Sequence, residues 1–317
     1  RDASFPAEEF EQLRRELLTG LQAQLADPGE RSRDALLAHF NTYPRGDPRY
    51  YVPLAERIEA VQQATLEEVR QFHRRFWGTA RGEIAIVGDF DAAAAEALIR
   101  ETFATWASPA PYSRVLPEPR EVPPARLVVD TPDKENAFYR ARLNLTLRDD
   151  DPDFPALLLA NHIFGGGAGL SSRLIDRVRQ REGISYGAGS ALIVRTHDRA
   201  GAWQISGLVA PQNVSRFEVA VREEIERMLK DGFNAREIED ARKGLLQERL
   251  LARADDATLA VQWTQLLDAD RTFAFSRQLE ERLRALTAAQ VLAAVRRHID
   301  PARMTVVIAG DAKKGVR

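Results

Sequence analysis

Between residues 6 and 26, apolar side chains fall at Phe10, Leu13, Leu17, Leu18, Leu21 and Leu25. Steps of three and four predict an amphipathic helix, which Asp27-Pro28-Gly29 should stop. A shorter helix is expected over 32–41. Thr65 can cap a helix over 66–76, with Glu68 three residues on completing a capping box. The run EIAIV at 83–87 reads as a short buried strand closed by Gly88-Asp89, and 91–105 as an Ala-rich helix. The stretch 107–125 carries six prolines, so it is expected to be an extended, fairly stiff linker rather than a helix or central strand.

Beyond the linker the period changes to two. Strands are expected at 126–131 and 137–147. In the second, Phe138, Arg140, Arg142 and Asn144 alternate with Tyr139, Ala141, Leu143 and Leu145, so one face should be buried. A helix fits 153–164, followed by a Gly-rich turn, Gly165-Gly166-Gly167-Ala168-Gly169. Ser171 or Ser172 should cap a helix reaching about Arg181, with Gly183 at its C-terminal cap. Strands at 185–195 and 201–209 form an expected hairpin around His197-Asp198. Helices follow at about 212–231, 235–253, 256–268 and 287–298, and a last strand at 303–309. Strands early, helices late and a hairpin connection predict an α+β fold: an antiparallel-rich sheet covered on one face by helices.

The chain also repeats itself. Residues 65–89 align without a gap on 287–311, with Thr65, Val69, Arg74, Arg75, Gly88 and Asp89 recurring as Thr287, Val291, Arg296, Arg297, Gly310 and Asp311. Residues 5–18 (FPAEEFEQLRRELL) likewise match 233–246 (FNAREIEDARKGLL). A period this long means domain duplication rather than a solenoid. The expected organisation is the C-terminal part of an incomplete domain at 1–107, a Pro-rich linker at 108–125 and a complete homologous domain at 126–317. The front of the first copy, and a start Met, would then belong to a longer parent chain.

Composition narrows the partners. A net charge of −2 gives no reason to expect nucleic acid, and no apolar run is long enough to span a membrane. The absence of Cys excludes disulfides, thiolate zinc sites and a Cys nucleophile. None of the five His residues (His39, His73, His162, His197, His298) stands in an HxxEH or HxxxH pair, so no metal site is expected in this chain. The Gly-rich turn lacks the Lys-Ser/Thr pair of a phosphate-binding loop. It reads as a turn that redirects a helix, or as a loop touching a polypeptide. The segment 173–190, RLIDRVRQREGISYGAGS, is the sharpest local pattern. It places Arg177, Arg179 and Arg181 at a helix C-terminus and Tyr186 at the start of a strand. The helix dipole alone would account for the arginines, and Tyr186 could be an ordinary sheet residue.

Taken together, the run from Asn161 to Tyr186 (N-x-x-x-G-G-G, S-S-R-L, R-x-x-x-G-x-x-Y), the strand ending V-G-D-F-D at 87–91 and the duplication resemble the insulinase/pitrilysin family of zinc metallopeptidases. The resemblance implies a metallopeptidase/mitochondrial processing peptidase-like fold, with homologous domains in two halves that close around a peptide. It implies zinc in the intact enzyme or a partner, held by an HxxEH motif this chain lacks. It also implies that Arg179 and Tyr186 reach a peptide substrate near that zinc: Arg179 at a backbone carbonyl, Tyr186 at the oxyanion. Gly165, Gly166 and Gly167 would support the substrate. On this reading the chain has no catalytic residues of its own. It is the C-terminal portion of a zinc-dependent metalloendopeptidase and positions peptide against an N-terminal catalytic half. The alternative is a non-catalytic substrate-binding subunit of a separate catalytic chain. A bacterial periplasm or cell-envelope location is what the resemblance suggests.

Overall fold

The computed structural model describes residues 2–79, 81–117, 121–167 and 172–316. In chain order the elements are helices α1 (Ala7–Leu25), α2 (Pro28–His39), α3 (Leu54–Gln63), α4 (Leu66–Phe76) and α5 (Ala92–Phe103), then strands β1 (Arg126–Asp130) and β2 (Ala137–Leu145). Helix α6 (Phe154–Asn161) winds on into a π-helical turn, His162–Gly166. Helix α7 (Arg173–Ile175) does the same over Asp176–Arg181. Strands β3 (Ser185–Ile193) and β4 (Gly201–Val209) lead to helices α8 (Val214–Asp231), α9 (Ala235–Ala252), α10 (Asp256–Asp268), α11 (Phe273–Ala285) and α12 (Ala288–His298), and finally to β5 (Thr305–Gly310).

The five strands form one sheet in the order β1-β5-β2-β4-β3. β1 runs parallel to β5; the other pairings are antiparallel. This is the α+β, antiparallel-rich arrangement read from the sequence. Along β2 the expected alternation is realised: Ala137, Tyr139, Ala141, Leu143 and Leu145 are buried, while the residues between them are half-buried. The Tyr139 ring packs 5.3 Å from Phe217 of α8. Both belong to a core that also takes in Leu159, Leu174, Val178, Ile205, Val291 and Ile308. Burying such a set removes enough apolar surface from water to be the main stabilising term of this unit.

The opposite face of the sheet is also partly covered, by α2. Arg140 of β2 donates from Nε to Ser32 Oγ at 3.3 Å and from Nη2 to the Gly29 carbonyl at 3.4 Å. Leu36 of α2 is fully buried. The sequence placed this helix four residues too late. Asp27, read as a stop, caps the next helix by accepting from the Glu30 amide at 2.8 Å, and Pro28 sits in the first turn, where its missing N–H costs nothing. Helix α4 keeps its expected bounds and its capping box, with Thr65 and Glu68 bonded reciprocally.

One expectation needs correction. Residues 83–87 form no strand, and Ile84 and Ile86 are exposed. Their counterparts in β5 are held by β1 and β2, and among the described residues nothing offers the first copy the same backbone partners. A strand with no neighbour leaves its amides to water and has no reason to be extended and buried. Helices α3 and α11 were not anticipated.

Contacts divide the chain into two compact units: residues 1–23, 52–115 and 251–274, and residues 24–51, 116–250 and 275–317. The sheet and everything described next lie in the second.

Candidate functional site

Ser172 starts α7 by accepting from the Ile175 amide, as the sequence suggested for Ser171 or Ser172; Ser171 lies outside the described residues. Leu174, Val178 and Ile184 are buried and anchor this segment to the core. The chain then turns at Gly183, which adopts φ +61°, a left-handed conformation that suits glycine.

The arginines of this segment divide clearly. Arg173 forks onto Glu237 at 2.6 and 2.7 Å, donates to the Gly232 carbonyl and stacks 4.6 Å over the Phe233 ring. Burial alone would raise Glu237, but the Arg173 hydrogen bonds hold its carboxyl below the ordinary range. Arg177 pairs with Glu182 and, at 2.6 Å, with Glu223, and so ties the π turn to α8. Arg181 pairs with Asp176 at 2.7 Å. Arg179 is exposed and has no hydrogen bond or ion pair among the described residues. Dipole stabilisation and local pairing therefore account for its neighbours but leave Arg179 without a structural task.

Tyr186 follows on β3. The pairing register steps from Ser185↔Val209 to Gly187↔Leu208, so Tyr186 is the extra residue of a β-bulge. Ser185 fixes the bulge, donating from Oγ to the Leu208 carbonyl at 2.6 Å and accepting from the Gly187 amide. Such a bulge re-aims a side chain without breaking the strand. Tyr186 is 89% exposed and unpartnered among the described residues. Arg179 and Tyr186 thus stand on consecutive elements either side of Gly183-Ile184, and neither bonds the other.

The glycines have a steric role. A Cβ on Gly165 would fall 2.8 Å from the Ser190 amide of β3, and one on Gly166 would fall 2.1 Å from Asn161 Nδ2. Gly165 and Gly166 complete the π turn, and Gly167 caps it. Ala168 and Gly169 of the same sequence run lie outside the described residues. Asn161 is the hub that composition did not single out. Its Oδ1 accepts from Ser190 Oγ at 2.8 Å and from Trp203 Nε1 at 3.0 Å, and so joins α6 to β3 and β4. The π turn is closed by the Gly167 amide, which donates to the His162 carbonyl five residues back at 3.1 Å. Two π turns close to one strand end are a feature often met at functional sites.

Asp151, Asp153 and His298 bring potential metal ligands within 4.8 Å of one another. Their donors are already committed. Asp151 accepts from Arg199 at 2.7 Å and from the Asp153 amide; Asp153 accepts from Arg297 at 2.9 Å and from His298 at 2.8 Å. With each carboxylate neutralised by an arginine, this cluster does not fit a zinc site.

The comparisons with known proteins agree with this picture. Residues 63–245, more than half the chain, match the family described as the peptidase M16 inactive domain. The chain belongs to that family. An uncharacterized zinc protease of Mycobacterium bovis is 25% identical over 297 residues, 90% of this chain and 63% of the relative. One from Mycobacterium leprae is 25% identical over 242 residues, 73% of this chain and 50% of the relative. This M16 chain therefore spans under two thirds of the length of the curated relatives it matches. In fold it is similar to a peptidase M16 inactive domain from Pseudomonas fluorescens, with TM-score 0.79, 22% identity and coverage of 98% of this chain and 72% of that one. It is also similar to a periplasmic protease from Escherichia coli, with TM-score 0.71, 15% identity and coverage of 95% and 32%. Among the described residues no helix is long and apolar enough to cross a membrane.

Proposed function

We propose that this chain is the non-catalytic portion of a zinc-dependent metalloendopeptidase and positions a peptide against a zinc site carried elsewhere, on an N-terminal catalytic half or on a separate catalytic chain. Residues 1–107 would belong to one peptidase-like domain and 126–317 to another. The observation that carries the reading is the contrast within one short segment. Arg173, Arg177 and Arg181 are each tied to a carboxylate, whereas Arg179 and Tyr186 are exposed and unpartnered, one on a π turn and the other on a bulge.

Two such groups suit a peptide bond under attack. A guanidinium offers several N–H donors in a fixed fork and can hold a substrate carbonyl. A phenol can donate one hydrogen bond to the oxygen that gains charge in the tetrahedral state. The metal, where it is bound, supplies the polarised water. The glycine run at 165–167 and Asn161 keep α6 close against β3, the strand that carries Tyr186. Fluorogenic peptide cleavage by this chain alone and together with the HxxEH-bearing segment tests the proposal. Turnover sensitive to chelators is expected only from the combination. Chelator-sensitive turnover by this chain alone would overturn it.

A further inference from the structure

On the α2-covered face of the sheet, away from the elements just described, a cavity of about 240 Å³ is lined by Phe40, Arg142, Asn144, Arg195 and Arg303. Arg142 is half-buried on β2, with its guanidinium 5.1 Å over the Phe40 ring. Its one hydrogen bond among the described residues is from Nε to Asn144 Oδ1, at 2.8 Å, a neutral acceptor. Burial, and after it the charge of Arg195, pushes its pKa down from the ordinary arginine value. Arg195 has no ion pair among the described residues. Arg303 has one, to the exposed Glu121 at 3.3 Å. Among the described residues, three cations therefore face this cavity with a single solvated carboxylate, Glu121, between them. Arg142 is half-buried without a counter-ion among the described residues and has a second cation, Arg195, beside it; that arrangement is costly, and an arriving anion relieves the cost.

A second cavity, of about 580 Å³, adjoins the first and shares Phe40, Glu121, Asn144 and Arg303 with it. Its remaining lining is mostly apolar: Val122, Pro123, Pro124 and Leu143. A cationic end opening into an apolar trough fits a ligand with one carboxylate and a hydrophobic body, and fits inorganic phosphate less well.

We infer that this face binds the C-terminal carboxylate of a short apolar peptide, with Arg142 and Arg195 on the carboxylate and the Val122–Pro124 trough on its side chains. The inference does not depend on the role of Arg179 and Tyr186. Calorimetric titration of the full chain with an apolar tripeptide, the same peptide as its C-terminal amide, and pyrophosphate tests it. The free acid should bind, and the amide should bind at least about tenfold more weakly, as should Arg195→Gln toward the acid. Arg195 is exposed, so Arg195→Gln should melt like the parent; Arg142→Gln provides a second variant with the same expected loss. Four results would overturn the inference: no binding of the acid at millimolar concentration, equal affinity for acid and amide, pyrophosphate as the tightest ligand, or undiminished binding by both variants.

Discussion

At the scale of single residues, residue type and helix position are the same for Arg177, Arg179 and Arg181, and only the family resemblance pointed to Arg179 with Tyr186. Pairing across the fold makes the separation. Glu223 and Glu237, which occupy Arg177 and Arg173, lie 46 and 64 residues away, and nothing local announces them. The bulge at Tyr186 was equally invisible, since it depends on the register against β4. His162 gives a pH test close to this region. Burial pushes its pKa below the ordinary imidazole value, with Glu248 opposing. A group depressed in the folded state contributes stability above its unfolded pKa and loses it as pH falls through the folded one. Melting temperature should therefore fall as pH drops below about 6.5, and His162→Gln should flatten that part of the profile. An unchanged slope in the variant would show that other groups set the dependence.

At the scale of elements, the strands and most helices were legible because hydrophobic period and caps are local. Helix α2 was misplaced because one Asp-Pro-Gly stop is at once the next start. The strand at 83–87 failed because a strand needs neighbours and a period of two does not show whether they are present. Asp27→Ala should cost about 1 kcal/mol by removing the cap of α2, measured by chemical denaturation of the unit that contains the sheet. The π turn after α6 should be more sensitive. A methyl group at Gly166 meets Asn161 Nδ2 at 2.1 Å, so Gly166→Ala should destabilise by about 1–3 kcal/mol. Asn161→Ala should cost about as much, by leaving Trp203 Nε1 and Ser190 Oγ without their acceptor. A neutral Gly166→Ala would mean that the turn tolerates a side chain and that its glycines serve something other than packing.

At the scale of the whole molecule, the two repeat copies differ in what covers them. Val69 is 37% exposed where Val291 is 0%, Ile86 is 44% where Ile308 is 0%, and Leu17 is 48% where Leu245 is 7%. Positions that one copy buries are open in the other, and Val69 also lines a cavity of about 610 Å³ together with Phe10, Leu13 and Leu66. Exposed apolar side chains in this number favour self-association. Sedimentation of the isolated chain should show self-association that weakens when Leu17 and Val69 are made polar; a monodisperse monomer across the micromolar range would contradict this. The proposed positioning role is tested most directly by kcat/KM for a fluorogenic peptide, measured on this chain combined with the HxxEH-bearing segment, with Arg179→Ala, Tyr186→Phe and, as a control, Arg181→Ala. Arg179→Ala and Tyr186→Phe should each lower kcat/KM by about tenfold to a hundredfold with unchanged melting temperature, while Arg181→Ala stays near the parent value. Full activity in both Arg179→Ala and Tyr186→Phe, or an equal loss in all three variants, would contradict it.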